Sequence, residues 1–351
     1  MAKKVRLGIV GMGIGKANGR ALSADPRGEV AALCDLDEER MREFAGELPG
    51  DLKMYVDYKA LCRDPEIDAI FVGTPNQWHV PVALEAVRHD KHVMVTKPLA
   101  DAEKAALRLV QAAEKAGVVN MMSLSTRFGP GCQYLQQRAQ RGFFGELYYG
   151  RARSVRRNGI PGWNLGFIQE GGGAFRDMGV HVLDAAWSIM GRPQPVAVTG
   201  VAGAKFGPRG LGYGRSVPRS LYQQFAADDY GGGFIRFANG AGLQVESFWA
   251  SHQPGEMQIE LFGTEAGARL HPLTLYHGED GVEQDVSLNL RARGGEEAWR
   301  NIAAHFISCI LDGTTCEAPL RHGLQVQQMM EALLKSAGSG REVRIRNYHG
   351  D

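Results

Sequence analysis

Cysteine is scarce in this chain. There are five in 351 residues (Cys34, Cys62, Cys132, Cys309 and Cys316), an odd number with no Cys-x-x-Cys pair. That excludes the usual zinc-ribbon and dithiol redox spacings, and it points to reduced thiols in a cytoplasmic protein. Charge of either sign is not in excess: 40 Lys and Arg face 39 Asp and Glu, a formal net charge of +1. A neutral balance gives no general attraction to nucleic acid or to an anionic membrane. No apolar run approaches the ~18 residues that span a bilayer. Lys3-Lys4 before Val5–Val10 imitates a signal peptide, but the run is short and broken by glycine, and it reads better as a first strand. The ten histidines show no His-Glu-x-x-His or comparable ligand spacing, so no metal is expected. Repeats and low-complexity tracts are also missing.

What remains is an ordinary globular composition, 44% hydrophobic and 23% charged, with 46 glycines. At roughly 100–200 residues per domain the length predicts two domains. Residues 1–125 alternate apolar strands with helical patterns. The strands are Val5–Val10, Val30–Cys34, Ala69–Val72, His92–Val95 and Val118–Leu124. Pro81–Arg88 and Ala102–Ala116 read as helices between them. Near-continuous apolar strands separated by helices predict a parallel sheet covered on both faces, with its ligand crevice at the carboxyl ends of the strands. Residues 126–351 have another texture. A helix over Gly131–Arg141 precedes a long strand, Glu146–Arg156. Later come strands at Val196–Val201, Met257–Phe262 and Arg269–Leu275, a hairpin around Asn239-Gly240, and helices at Glu296–Leu311 and Gly323–Ser336. The expected fold is thus α/β, an amino-terminal Rossmann domain followed by an α+β domain on an open, mostly antiparallel sheet.

The segment Val10-Gly11-Met12-Gly13-Ile14-Gly15-Lys16 joins the first strand to a helix. Gly11 permits a tight turn, Gly13 lets backbone approach a pyrophosphate, and the helix amino terminus faces that negative charge. Asp35 ends the second strand at the distance expected of a carboxylate on the adenosine ribose. The loop departs from Gly-x-Gly-x-x-Gly because Lys16 holds the third position, which predicts looser helix–strand packing. Asp35 followed by Leu36 favours NAD over NADP, since the carboxylate repels an extra phosphate; Lys16, Arg20 and Arg40 are the cations able to offset it.

Further along, Asp177, His181 and Asp184 are spaced i, i+4 and i+7, which predicts one helix face. A histidine between carboxylates is poised as a base, although a structural histidine would fit the same pattern. Gly171-Gly172-Gly173 before that helix would let backbone approach a ligand. Lys97-Pro98 ends another strand, and its lysine is able either to enter the crevice or to lie in solvent.

Together, the glycine loop, Thr74-Pro75-Asn76-x-x-His79, Lys97-Pro98 and Asp177-x-Gly179-x-His181-x-x-Asp184 resemble the Gfo/Idh/MocA oxidoreductases, the glucose–fructose oxidoreductase and inositol dehydrogenase family. Thr96 stands where most of that family has Glu. The resemblance implies a nicotinamide cofactor, a sugar or polyol substrate, and a homodimer or homotetramer formed through the sheet. It places Gly11, Met12, Gly13, Ile14, Asp35, Thr74, Pro75, Asn76, His79 and Lys97 at the cofactor, and Lys97, Asp177 and His181 in catalysis. Lys97, Asp177 and His181 also border the substrate, as does Arg127 in Arg127-Phe128-x-Pro130. Arg157 and Trp163 lie in an unusual basic and aromatic loop suited to a hydroxyl-rich ring.

The expected activity is NAD-dependent hydride transfer to or from a secondary hydroxyl of a sugar, glycoside or inositol. His181 would serve as base, Lys97 would stabilise the developing negative charge, and Asp177 would bind a neighbouring hydroxyl. Two other readings use the same residues. One is an NAD-requiring glycosidase that oxidises a ring hydroxyl transiently and eliminates the aglycone. The other is a non-catalytic NAD-binding regulator.

Overall fold

The computed structural model describes residues 4–290 and 296–346. They fall into two compact units, Met1–Phe128 with Ala292–Gln327, and Gly129–Arg291 with Gln328–Asp351. This differs from a single boundary after residue 125. The reason is apolar packing. The helix Glu297–Leu311 presents Ile302, Ala303, Phe306 and Ile307 to the same core as Val5, Leu7, Leu22 and Val30. Arg27 adds hydrogen bonds to Ser308 Oγ and Asp312. An amphipathic helix must bury its stripe somewhere, and for this one the nearest apolar surface lies in the first unit.

That unit is built on six parallel strands in the order β3-β2-β1-β4-β5-β6: β1 Val5–Val10, β2 Gly28–Cys34, β3 Lys53–Tyr55, β4 Ala69–Val72, β5 His92–Thr96 and β6 Asn120–Ser123. The intervening helices are α1 Ile14–Ala24, α2 Glu38–Ala45, α3 Tyr58–Arg63, α4 Asn76–Arg88 and α5 Glu103–Ala116. Their strands carry side chains buried on both faces, as at Ala69-Ile-Phe-Val72 where all four residues are fully buried. That is why they read as unbroken apolar runs. From β1 the chain moves outward to β2 and β3, then returns to place β4 on the other side of β1. The order reverses between β1 and β4, and in doubly wound sheets the ligand binds at such a reversal. Helix α4 begins at Asn76, five residues before the expected start at Pro81.

The second unit holds a nine-stranded sheet in the order β14-β13-β12-β11-β7-β10-β9-β8-β15. Its strands are β7 Leu147–Val155, β8 Pro195–Gly203, β9 Tyr230–Phe237, β10 Gly242–Phe248, β11 Glu256–Gly263, β12 Ala266–Arg269, β13 Thr274–Glu279, β14 Val282–Ser287 and β15 Val343–Arg344. All pairs are antiparallel except β7 with β10. The Asn239-Gly240 turn joins β9 to β10 as its composition predicts. Arg269–Leu275, expected as one strand, is broken by a turn at residues 270–273 between the end of β12 and the start of β13, because Pro272 has no N–H to continue a ladder. Helices α6 Pro130–Gln140, α7 Leu165–Ile168, α8 Val180–Ile189 and α9 Arg219–Tyr222 accompany the sheet. Helix α10 is Glu297–Leu311, and α11, Leu320–Ser339, is divided between the two units. Among the described residues no helix is long and apolar enough to cross a membrane, and the five cysteines are free thiols.

Candidate active site

In the first unit the expected cofactor residues line the carboxyl ends of neighbouring strands. Gly11 follows β1 with φ +92°, and a Cβ there would stand 2.6 Å from the Gly73 carbonyl oxygen and 2.8 Å from the Thr74 nitrogen. Only glycine lets the turns after β1 and β4 approach so closely. Gly13 is exposed, and an added Cβ would meet nothing within 4 Å. Helix α1 begins immediately afterwards, with no side-chain cap and no acid in its first turn. Its leading N–H groups, over an open glycine, form a seat for a phosphate. Looser helix packing is not found. Gly15 takes over the close-packing role, since a Cβ there would lie 3.0 Å from Ile9 Cγ2.

Asp35 closes β2 and accepts the Met12 N–H at 2.6 Å through one carboxylate oxygen and the Asp37 N–H at 3.1 Å through the other. Both oxygens retain lone pairs for ribose hydroxyls. The cations able to rescue a second phosphate are largely committed: Lys16 pairs with Glu43 and Arg20 with Glu47. Leu36, beside Asp35, is 90% exposed and offers no charge. At the end of β4 the Thr74 hydroxyl oxygen is buried and has no hydrogen-bond partner among the described residues. A buried unsatisfied hydroxyl calls for a ligand or water. The open glycine, the uncapped helix, the anchored carboxylate and the orphaned hydroxyl fit a dinucleotide.

His79 departs from its expected role. It is fully buried in α4, with Nδ1 2.7 Å from the Pro98 carbonyl oxygen and Nε2 2.8 Å from that of Thr74. Through both ring nitrogens it braces the turns after β4 and β5. Burial pushes its pKa below the ordinary histidine value, against the two carbonyls, which favour the charged ring. Lys97, partly exposed, directly precedes the braced proline. Arg127 also departs from expectation. It is 1% exposed and donates to the Glu317 carbonyl at 2.6 Å, with His322 Nδ1 at 3.3 Å. It therefore braces the chain through the Glu317 carbonyl.

In the second unit Asp177 sits in a wide turn, Phe175–Gly179, in which the Val180 N–H reaches back to the Phe175 carbonyl. The regular helix α8 starts only at Val180. The wide turn packs the Phe175 ring against Gly179, where a Cβ would come within 2.8 Å of it. Asp177 is therefore not on an ideal i, i+4, i+7 stripe, and Asp184 is fully buried whereas His181 is partly exposed. Asp177 Oδ2 accepts a 3.0 Å hydrogen bond from Trp249 Nε1 just beyond β10. Trp249 was not expected at the site; its residue type at a strand end is too common a signal to have revealed it.

Of the three glycines before the turn, Gly172 and Gly173 make room for the protein itself, whereas a Cβ on Gly171 (φ +86°) would meet nothing within 4 Å. A Cβ on Gly172 would collide with the Phe167 carbonyl at 1.9 Å, and one on Gly173 (φ +111°) with the Asp228 carboxylate at 2.1 Å. Asp228 in turn accepts the Phe175 N–H at 3.0 Å. Ile160, Met178, Tyr213, Trp249 and Ala250 share one apolar cluster, which gathers the Arg156–Trp163 loop around the Asp177 segment. Arg157 is exposed, and Trp163, 69% exposed, lies edge-on to Phe167.

Comparison with known proteins gives a consistent picture. Residues 5–124 match the model described as oxidoreductase family, NAD-binding Rossmann fold. Residues 132–269 match the GFO/IDH/MocA C-terminal domain. The chain is 29% identical over 323 residues to a D-glucoside 3-dehydrogenase of Escherichia coli K12, covering 90% of each. It is 26% identical over 321 residues to a scyllo-inositol 2-dehydrogenase (NAD(+)) of Bacillus subtilis, covering 90% of this chain and 89% of that one. The solved structure of a levoglucosan dehydrogenase with NADH and levoglucosan shares the fold, with a TM-score of 0.84 at 22% identity over 98% of this chain and all of that one.

Proposed function

Because this chain belongs to the Gfo/Idh/MocA oxidoreductase family, we propose that it is an NAD-dependent dehydrogenase acting on a secondary hydroxyl of a sugar, glycoside or inositol. One observation carries this reading: an unbroken series of contacts runs from Asp35 through Met12, Gly11, Thr74 and His79 to Pro98. It builds one rigid edge suited to a dinucleotide, with Lys97 at its end. The relatives named for glucosides and inositols support the substrate class.

Bound NAD supplies the hydride acceptor. Gly11–Ile14 and the α1 amino terminus hold its phosphates, Asp35 its adenosine ribose, and Thr74, Pro75 and Asn76 its nicotinamide side. A His181 ring nitrogen takes the hydroxyl proton as general base. To Lys97 we assign stabilisation of the negative charge that develops on the substrate oxygen. Asp177, held by Trp249, accepts from a neighbouring hydroxyl and orients the ring. Arg157 and Trp163 recognise the rest of the substrate. The first unit thus supplies the cofactor residues together with Lys97, and the second unit supplies Asp177, His181, Arg157 and Trp163. We infer assembly as a homodimer or homotetramer through the larger sheet; the half-exposed rings of Tyr149, Phe234 and Phe262, which pack together, and of Tyr230, stacked on Phe248, support that reading.

The test is a panel of sugars, glycosides and inositols with NAD and with NADP, following nicotinamide reduction. NADH accumulating with at least one secondary alcohol is the expected result. Aglycone release without net NADH would replace the dehydrogenase by a glycosidase. Tight NAD binding without turnover across the panel would leave a regulator.

A further inference from the structure

A second cluster of reactive side chains lies in the first unit among residues outside that site. His305 and Cys309 are one turn apart on α10, and Cys316 follows in the segment leading to α11. One His305 ring nitrogen and the two Sγ atoms all lie within 4.8 Å of one another, and Nε2 is 3.5 Å from Cys309 Sγ. We propose that these three residues bind a zinc ion through two thiolates and one imidazole nitrogen.

The donor set is the first argument. Thiolate with imidazole selects soft or borderline cations such as zinc, and tetrahedral zinc brings its ligand atoms about this close together. The state of the imidazole is the second. The Glu317 N–H donates to His305 Nε2 at 2.9 Å, so this nitrogen carries no proton, and zinc would take its lone pair in exchange for that hydrogen bond. Preorganisation is the third. Around Cys316 the backbone is already held, with the Met122 N–H donating to the Ala318 carbonyl at 2.8 Å, Arg127 donating to the Glu317 carbonyl, and the Leu320 N–H donating to Asn120 Oδ1 at 3.0 Å. An ion must displace the hydrogen bond from the Glu317 N–H to His305 Nε2.

A disulfide between the two cysteines would make no use of the imidazole. His305 and Cys316 are partly exposed and leave a route for an ion. On binding, both S–H bonds break, the two protons pass to solvent, and two Zn–S bonds and one Zn–N bond form, with no change of oxidation state. Water or the exposed Glu317 carboxylate completes the tetrahedron. Such an ion would clasp the end of α10 to the segment packed beside β6.

The experiment uses the full chain, reduced and stripped with a chelator, then titrated with Zn(II) alone against a chromophoric chelator and with Cd(II) while recording ultraviolet absorption. One equivalent of each metal, a thiolate-to-cadmium charge-transfer band, and a Tm that rises with zinc are expected. Cys316→Ser and His305→Ala should each weaken zinc binding by at least about tenfold, without changing NADH production. Absence of the cadmium–thiolate band in the wild-type chain would overturn the proposal. So would undiminished zinc binding in both variants, or recovery of Cys309 and Cys316 as a disulfide that takes up no metal.

Discussion

Trp249 Nε1 donates a 3.0 Å hydrogen bond to Asp177 Oδ2, tying the end of one strand to the wide turn before α8. Trp249 is fully buried, so Phe in its place keeps most of the packing and removes the donor. A hydrogen bond to a charged group contributes about 1.5–3 kcal/mol. Trp249→Phe should therefore lower kcat/KM for the sugar by roughly tenfold or more, while the KM for NAD stays unchanged. Unaltered sugar kinetics would show that the indole only fills space.

Lys97 and His181 are assigned to the reacting hydroxyl. Lys97→Met and His181→Ala should each reduce turnover by about 10²–10⁴-fold, while NADH still binds as judged by its fluorescence. Near-normal turnover in both variants would remove the assignment.

The Asp35 carboxylate both supports the Met12 N–H and repels an added phosphate. Asp35→Asn keeps an acceptor oxygen for that N–H and loses the charge. We expect a higher KM for NAD and discrimination against NADP relaxed by about tenfold, on the order of 1.4 kcal/mol. Steady-state kinetics with both cofactors would measure it, and unchanged discrimination would place Asp35 away from the ribose.

His79 gives a pH signature. Burial depresses its pKa in the folded chain, so the unfolded chain binds the extra proton first as pH falls. The stability associated with a neutral His79 is complete above the unfolded histidine value of about 6.5 and erodes below it. Urea unfolding at pH 7.5 and 5.5 should show the wild type losing stability relative to His79→Gln as pH falls. A relative gain at low pH would mean that a charged ring bridges the Thr74 and Pro98 carbonyls.

Two sequence candidates for substrate contact should separate cleanly. Arg127 is buried against the Glu317 carbonyl, so Arg127→Met should lower Tm, at a cost of about 1–3 kcal/mol for the orphaned acceptor. Trp163 is exposed, so Trp163→Ala should raise the KM for sugar and leave Tm and the KM for NAD alone. The reverse pattern would exchange their roles.

The local order of residues sufficed for whatever depends on neighbours in the chain. Apolar runs ending in glycine or in Asp35 disclosed the parallel sheet and its nucleotide loop, because strand, turn and helix amino terminus are set within a few residues. The Asn239-Gly240 turn disclosed its hairpin for the same reason. What lay beyond this reach depended on packing between distant segments. Only the fold could show that α10 returns to the first unit, since its apolar stripe fits any core. His79 and Arg127 carry the residue types of a site but are buried against backbone carbonyls. Gly172 and Gly173 make room for Phe167 and Asp228 and not for a ligand. The wide turn at Phe175–Gly179 rotates Asp177 toward Trp249, although the spacing alone describes an ideal helix face. His305, Cys309 and Cys316 show no familiar ligand spacing, and they converge because a helix end and the following segment are held together by bonds to Asn120, Met122 and Arg127. Periodicity is a property of the chain, whereas burial and convergence are properties of the surfaces that the chain brings together.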